Sequence, residues 1–242
     1  MSAGRVPILL FGETYHHPNI FYRTGFLAPD PVVVVDSGDG DVVLWASPLE
    51  EGRARKEAHV SEVRSTSELD QAAILRDTGN DDDAWAPLLE AICREHGLTA
   101  VEVDADFPAL AADHLRGRGL VVMPRPDLYR RRRRIKTREE VAAIEATENA
   151  GMEALQRAID MIAAADVIDG LLCREGRPVT GNDLVVAVES RLLELGCTTT
   201  DSICCGGPES ADPHCAVSPV LRAGLPIVLD IFPFDKTTRY WG

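Results

Sequence analysis

The sequence predicts a mixed α/β protein of two domains. Strand-like and helix-like segments alternate along the chain, which favours layers of both kinds over an all-α or all-β fold. The length of 242 residues suits one large domain or two small ones, and a hydrophobic content of 45% is typical of a folded globular protein. Pro124 and Pro126 precede an arginine-rich segment. We therefore expect the domains to occupy residues 1–130 and 131–242.

The first half contains a predicted hairpin followed by alternating helices and strands. Two β-branched runs, Val32–Val35 and Val42–Ala46, flank a segment dense in turn residues, which predicts an antiparallel pair. Apolar residues recur at helical spacing from Trp85 to Cys93, and Gly97 stands where it would cap that helix. The remaining predicted elements are strands at 101–104 and 120–123 and a helix at 108–115.

Two capping boxes predict the helices of the second half. In Thr137-Arg-Glu-Glu140, the Thr hydroxyl and the Glu carboxylate can each accept a hydrogen bond from a free amide at a helix start, and Thr180-Gly-Asn-Asp183 repeats the pattern. Apolar residues at helical spacing follow each box, and we expect them to form the buried face of the helix. The first stripe is Val141, Ile144, Met152, Leu155, Ile159 and Ile162, and the second is Leu184, Val188, Leu192 and Leu195. Two strands are predicted at 202–205 and 227–231.

The charge balance argues against nucleic acid or a membrane as a partner. The chain has a net charge of −14 and an isoelectric point near 4.8, so its field would repel polyanions and anionic lipid surfaces. No apolar run approaches the ~20 residues that span a bilayer. The apolar stretch near Met1 is too short for a secretory signal. We expect a cytoplasmic protein.

Five consecutive arginines, Arg130–Arg134, interrupt this acidic chain. Such a run is typical of a nucleic-acid patch. However, Tyr129 is the one aromatic residue beside it, and stacking platforms for bases need several. The favoured interpretation is a solvated linker that meets acidic surface elsewhere on the chain.

The six cysteines do not suggest a disulfide framework, which belongs to short secreted domains. Cys204 and Cys205 are adjacent, with Cys197 and Cys215 nearby, so a thiolate metal site is one interpretation. None of the cysteines has C-x-x-C spacing. The favoured interpretation is that these small residues fill a core.

Two residues near the end of the chain are candidates for chemistry. Asp230 follows the apolar run Ile227–Leu229, and a carboxylate at the end of a buried strand needs compensation. A metal ion would supply it, and so would an arginine or a group of backbone amides. His214 lies in the polar loop Asp212-Pro-His-Cys215, where a histidine can be structural or catalytic.

The order of these residues resembles that of the pita-bread metallopeptidases, a family that includes aminopeptidase P, Xaa-Pro dipeptidase (prolidase) and creatinase. The resemblance runs from about residue 8 to the end and implies a creatinase-like N-terminal domain followed by the first half of a pita-bread catalytic domain. In the first domain, Arg23 stands where the family has leucine. The matching segments are Asn19-Ile-Phe-Tyr22, Thr24-Gly-Phe26, Arg134-Ile-Lys136, Glu139-Glu140, Gly176, Pro213-His214, Leu221, Gly224, Ile227-Val-Leu-Asp230 and Tyr240-Trp-Gly242.

The resemblance implies hydrolysis of Xaa-Pro peptide bonds in proline-containing peptides by a homodimeric enzyme with two divalent ions, commonly manganese, cobalt or zinc. Two Asp, one His and two Glu hold the ions in the family. By resemblance Asp230 is the first ligand Asp, and His214 is the histidine that contacts the substrate. The other ligands would follow residue 242, so we expect an incomplete chain that is inactive alone. The alternatives are a non-catalytic binding module with the same fold and a creatinase-like C–N hydrolase.

Overall fold

A computed structural model describes residues 5–70, 74, 81–215 and 217–242. The chain divides into two compact units, Met1–Ile135 and Lys136–Gly242, called here the N-terminal and the C-terminal unit. The domain boundary after residue 130 stays a prediction. None of the helices in the described part of the chain combines the length and the hydrophobicity that a bilayer crossing requires.

A six-stranded mixed sheet forms the centre of the N-terminal unit, in the order β4-β3-β2-β1-β5-β6. Its strands are β1 (Ile8–Gly12), β2 (Val32–Asp36), β3 (Val42–Ala46), β4 (Glu62–Ser65), β5 (Ala100–Val103) and β6 (Val121–Pro124). The predicted hairpin is confirmed, because β2 and β3 pair antiparallel with Val33 opposite Trp45. Strand β1 pairs antiparallel with β2, and the other neighbours are parallel.

Helices cover both faces of this sheet. Among the described residues, the α-helices are α1 (Pro18–Thr24), α2 (Glu51–Glu57), α3 (Asp81–Glu95), α4 (Ala109–Gly117) and α5 (Arg130–Arg134), and Thr66–Leu69 form a 3-10 helix. Alternate strand residues enter two separate apolar layers, one against α3 and α4 and the other against α1 and α2. Every residue of Val32–Asp36 is therefore buried, which explains its unbroken run of valines. Gly97, at a φ of 61°, ends α3 as predicted, since Leu98 N–H donates to Cys93 O at 2.9 Å.

The arginine run is a short helix of the N-terminal unit, so its interpretation as a linker is wrong. Two side chains anchor it to the unit. The Tyr129 hydroxyl donates to Asp36 Oδ2 at 2.6 Å, and Arg133 Nη1 donates to Asn19 Oδ1 at 3.0 Å. The other four arginines are exposed, as expected of solvated charges.

In its described residues, the C-terminal unit combines two α-helices and a 3-10 helix (Gly207–Ala211) with three small sheets. Its elements are α6 (Arg138–Ala163), β7 (Asp166–Ile168), β8 (Leu171–Arg174), β9 (Arg177–Pro178), α7 (Gly181–Glu194), β10 (Cys197–Thr198), β11 (Ile203–Gly206), β12 (Ile227–Asp230) and β13 (Phe234–Asp235). Both capping boxes are confirmed. Thr137 Oγ1 accepts a hydrogen bond from Glu140 N–H, and Thr180 Oγ1 accepts one from Asp183 N–H. In turn, the carboxylate of each acidic residue accepts a hydrogen bond from the backbone N–H of its threonine.

The two apolar stripes have different outcomes. The stripe of α7 is confirmed, with Leu184, Val188 and Leu192 fully buried. The prediction that the α6 stripe is buried is wrong at Val141, Met152 and Ile159. These residues are exposed, and Met152 retains 62% of its accessible surface. Instead α6 buries its small residues, Thr147, Ala150, Gly151, Ala154 and Ala158. Small side chains allow close approach between packed elements, and a Cβ on Gly151 would lie 2.9 Å from Pro233 Cγ.

Candidate functional site

The predicted site residues belong to the C-terminal unit, on and beside the strand pair β11–β12. The strands run antiparallel, with Ile203 opposite Asp230 and Gly206 opposite Ile227. The chain after the His214 loop returns alongside β11, where Val217 forms a parallel bridge with Cys204. Strand β11 is therefore the central one of three extended segments.

The start of α7 lies directly against this arrangement. A Cβ on Gly181 would lie 2.1 Å from Cys204 O and 2.6 Å from Ser218 N, so glycine is required there. The Gly181 N–H donates to Ser218 O at 2.8 Å, and Ser218 N–H donates to Cys204 O at 3.2 Å. Gly176 is the glycine that the family resemblance predicts for this region, whereas the requirement for Gly181 is signalled only by its place directly after the Thr180 cap.

Asp230 is exposed at the end of β12. The strand alternates between half-buried and exposed residues, so the expectation of a buried strand is wrong. Water hydrates the carboxylate, which for that reason needs no cation to compensate burial. No hydrogen bond or ion pair joins the Asp230 side chain to another described residue. The carboxylate is therefore available to a ligand, and its assignment as a metal ligand stays a prediction.

His214 is exposed as well. Its backbone N–H donates to Asp212 Oδ1 at 3.0 Å, and Cys215 N–H donates to Asp212 O at 3.1 Å. Asp212 thus shapes the turn that presents the imidazole to solvent. The structure records no bond between His214 and Asp230, and the catalytic assignment of His214 stays a prediction.

Within residues 5–70, 74, 81–215 and 217–242, no three His, Cys, Asp or Glu side chains converge on a point that could hold a metal ion. Asp230 can supply one carboxylate, and a centre of two divalent ions needs several more ligands. The described residues consequently do not fit such a centre on their own.

The cysteines mostly fill cores, as the favoured interpretation expected. All six are free thiols, and five of them are buried: Cys93, Cys173, Cys197, Cys204 and Cys205. Burial raises the pKa of Cys204 and of Cys205 to about 11, so these thiols stay protonated near neutral pH. Cys215 is half-exposed.

The final motif of the chain packs on α6 in a way that sequence reasoning missed. The Tyr240 hydroxyl donates to Glu140 Oε1 at 2.6 Å, and this bond lowers the pKa of Glu140. Glu140 therefore serves both the capping box and Tyr240. Gly242 lies so close to α6 that a Cβ there would be 2.9 Å from Glu148 N. The partners are about a hundred positions apart, and no local pattern in the sequence signals the contact.

Comparison with protein families identifies residues 8–116 as a creatinase/prolidase N-terminal domain. A comparison with functionally curated proteins finds no match. Among solved structures, the prolidase from Pyrococcus horikoshii superposes with a TM-score of 0.70 at 19% identity, covering 95% of this chain and 57% of its own. The X-Pro aminopeptidase from Thermotoga maritima gives a TM-score of 0.70 at 17% identity, covering 99% and 59%. The Xaa-Pro dipeptidase from Bacillus anthracis gives 0.69 at 18%, covering 94% and 57%.

The chain thus spans less than two thirds of the length of these structures. The TM-scores establish a shared fold, and at these identities the likeness extends to the fold alone. The family match independently covers most of the N-terminal unit. The resemblance to the pita-bread family is confirmed, since residues 8–116 match the creatinase/prolidase N-terminal domain and 95% of the chain shares the fold of a prolidase.

Proposed function

We propose that the complete protein is a metallopeptidase that hydrolyses Xaa-Pro bonds, and that this chain supplies its N-terminal domain and the first part of its catalytic domain. The observation that carries the proposal is the exposed, unpaired carboxylate of Asp230, which ends a strand in a chain with the prolidase fold. Two divalent ions, manganese, cobalt or zinc, would polarise the scissile carbonyl and activate a water molecule. Asp230 would be one ligand among several.

His214 would act on the substrate, because its exposed imidazole can donate a hydrogen bond to the carbonyl oxygen of a bound peptide. Proline-containing peptides are the expected substrates. The amide before proline has no N–H, so a site that does not depend on that donor can accept it. We further propose a cytoplasmic homodimer, with the boundary between the two domains of each chain after residue 130.

The exposed apolar residues Val141, Met152 and Ile159 support a larger assembly. These residues of α6 form a stripe that a soluble helix ordinarily buries. In the proposed protein, the remainder of the catalytic domain covers this stripe.

The test compares hydrolysis of Xaa-Pro dipeptides, with added Mn²⁺, Co²⁺ or Zn²⁺, by this chain and by a longer product of the same reading frame. We expect no turnover from the chain of 242 residues and metal-dependent turnover from the longer product. In the longer product, Asp230→Asn should abolish activity, while Asp166→Asn, at another exposed strand carboxylate, should preserve it. Turnover by the shorter chain would contradict the proposal. Turnover of creatine alone would favour the C–N hydrolase, and a longer product without bound metal or activity would favour a binding module.

A further inference from the structure

Two cysteines lie in contact beside the His214 loop. Cys205 is fully buried in β11, and Cys215 is half-exposed directly after His214. Their Sγ atoms are 2.9 Å apart, and the Cys205 thiol donates to Cys215 O at 2.6 Å. A disulfide bond is about 2.0 Å long, so a shift of about 0.9 Å would join the two sulfur atoms.

The backbone holds the two cysteines in this position. Ser218 is bound to β11 on either side of Cys205, because its N–H donates to Cys204 O and its hydroxyl accepts from Gly206 N–H at 2.8 Å. Cys205 lies between these two bonds, and Cys215 lies three residues before Ser218. The loop between the cysteines is therefore closed at its base in the reduced protein, and a disulfide would add a covalent link at the same place.

The two thiols differ in access. Cys215 can react with a dissolved oxidant because it is half-exposed, whereas Cys205 is buried and contacts Cys215. Among the described cysteines, no other pair of thiols forms a hydrogen bond. This site is consequently distinct from the core-filling role of Cys93, Cys173 and Cys197.

We propose that Cys205 and Cys215 are an oxidisable dithiol, a modification site at which hydrogen peroxide closes a disulfide across the loop that carries His214. In the first step, the Cys215 sulfur takes one oxygen from peroxide to form a sulfenic acid, the O–O bond breaks, and one water leaves. In the second step, the Cys205 sulfur attacks Cys215, an S–S bond replaces the S–O bond, and a second water leaves. The thiols lose two electrons and two protons, and peroxide is reduced to water. The proposal does not depend on peptidase activity.

The test treats the folded chain with peroxide, blocks the remaining thiols after unfolding, and maps peptides. Cleavage after Glu209 separates the two cysteines, so a link between the fragments is diagnostic. We expect a mass lower by about 2 Da, which is two hydrogen atoms, and a fall from six free thiols to four. The same treatment in urea should scramble the pairing.

Variants identify the partners. Cys215→Ser and Cys205→Ser should each abolish the link, and Cys204→Ser, at the neighbouring buried cysteine, should preserve it. A link through Cys204 or Cys197, or a further oxidised Cys215 beside an intact Cys205 thiol, would overturn the proposal. If Cys205→Ser does not fold, the Cys215→Ser variant, at a half-exposed position, and the peptide map of the unsubstituted chain still test the proposal.

Discussion

Tyr129→Phe removes one hydroxyl from a buried polar network and should destabilise the N-terminal unit. Asp36 is 2% exposed, and its Oδ2 accepts from Tyr129 and from Arg23 Nε, each at 2.6 Å, while Oδ1 accepts from Gly38 N–H at 2.8 Å. Hydrogen bonds to a charged group contribute about 1.5–3 kcal/mol each. The carboxylate keeps two of its three donors in the variant, so we expect a loss near the middle of that range, about 2 kcal/mol.

The assay is urea unfolding, monitored by tryptophan fluorescence, of proteins that also carry Trp241→Phe. The remaining tryptophans, Trp45 and Trp85, both lie in the N-terminal unit, so the signal reports that unit. Tyr22→Phe is the matched control. The Tyr22 ring lies 6.2 Å from the Tyr129 ring, but no hydrogen bond joins its hydroxyl to another described residue, and its loss should change stability by less than about 0.5 kcal/mol.

The effect of Tyr129→Phe should also depend on pH. Burial alone would raise the pKa of Asp36, but hydrogen bonds from Arg23, Tyr129 and Gly38 lower it overall. A lowered pKa in the folded state contributes stability above the unfolded value of about 3.9, and that contribution is lost as the pH falls through the folded value. The two proteins should therefore converge in strong acid. A difference below about 0.5 kcal/mol at pH 7, or one that is independent of pH, would refute the reasoning.

Three further outcomes follow from the described contacts. The pKa of His96 is lowered mainly by burial and also by the charge of Arg64, and its Nε2 accepts a hydrogen bond from Trp45 Nε1 at 3.0 Å. Protonation therefore favours the unfolded state, and the N-terminal unit should lose stability as the pH falls below about 6.5. His96→Gln, whose amide oxygen can still accept that bond, should flatten this dependence in urea titrations. Thr180→Ala should lower the free energy of unfolding by about 1 kcal/mol, measured by helical circular dichroism in urea, and Thr180→Ser, an equally good cap, should leave it unchanged. Because the α6 stripe is exposed, the chain should bind an apolar dye and self-associate, and Met152→Glu should reduce both dye binding and self-association. A monomeric unsubstituted chain that binds no dye would contradict this prediction.

Local interactions account for what could be predicted from the sequence. A capping box is complete within four residues, and both boxes form as expected. The cap at Gly97 and the hairpin from Val32 to Ala46 likewise depend on neighbours in the chain. By contrast, Tyr129 and Asp36 are 93 positions apart, and only the assembled fold brings them together. The same is true of the Cys205–Cys215 contact, which depends on the chain returning past β11.

The stripe on α6 shows a second limit. Helical periodicity identifies a face that is apolar, but a different face is buried when small residues allow closer packing. Ala154 and Ala158 are fully buried, while Met152 and Ile159, which the pattern favoured, are exposed. Hydrophobicity alone ranks alanine below methionine, so the pattern could not identify the contact face.

The two apolar strands that end in aspartate show why the candidate site could be predicted only in part. In Val32–Asp36 the carboxylate is buried, and Arg23 supplies the cation. In Ile227–Asp230 the same sequence pattern lies on a half-exposed strand, and the carboxylate has no partner among the described residues. The rule that a buried carboxylate needs a cation is therefore satisfied at Asp36 and does not apply at Asp230. Burial depends on what packs on each face of a strand, which the residues of the strand do not specify. An unpaired carboxylate in water costs little, so the physical argument for a metal at Asp230 rests on its availability and not on any need for compensation.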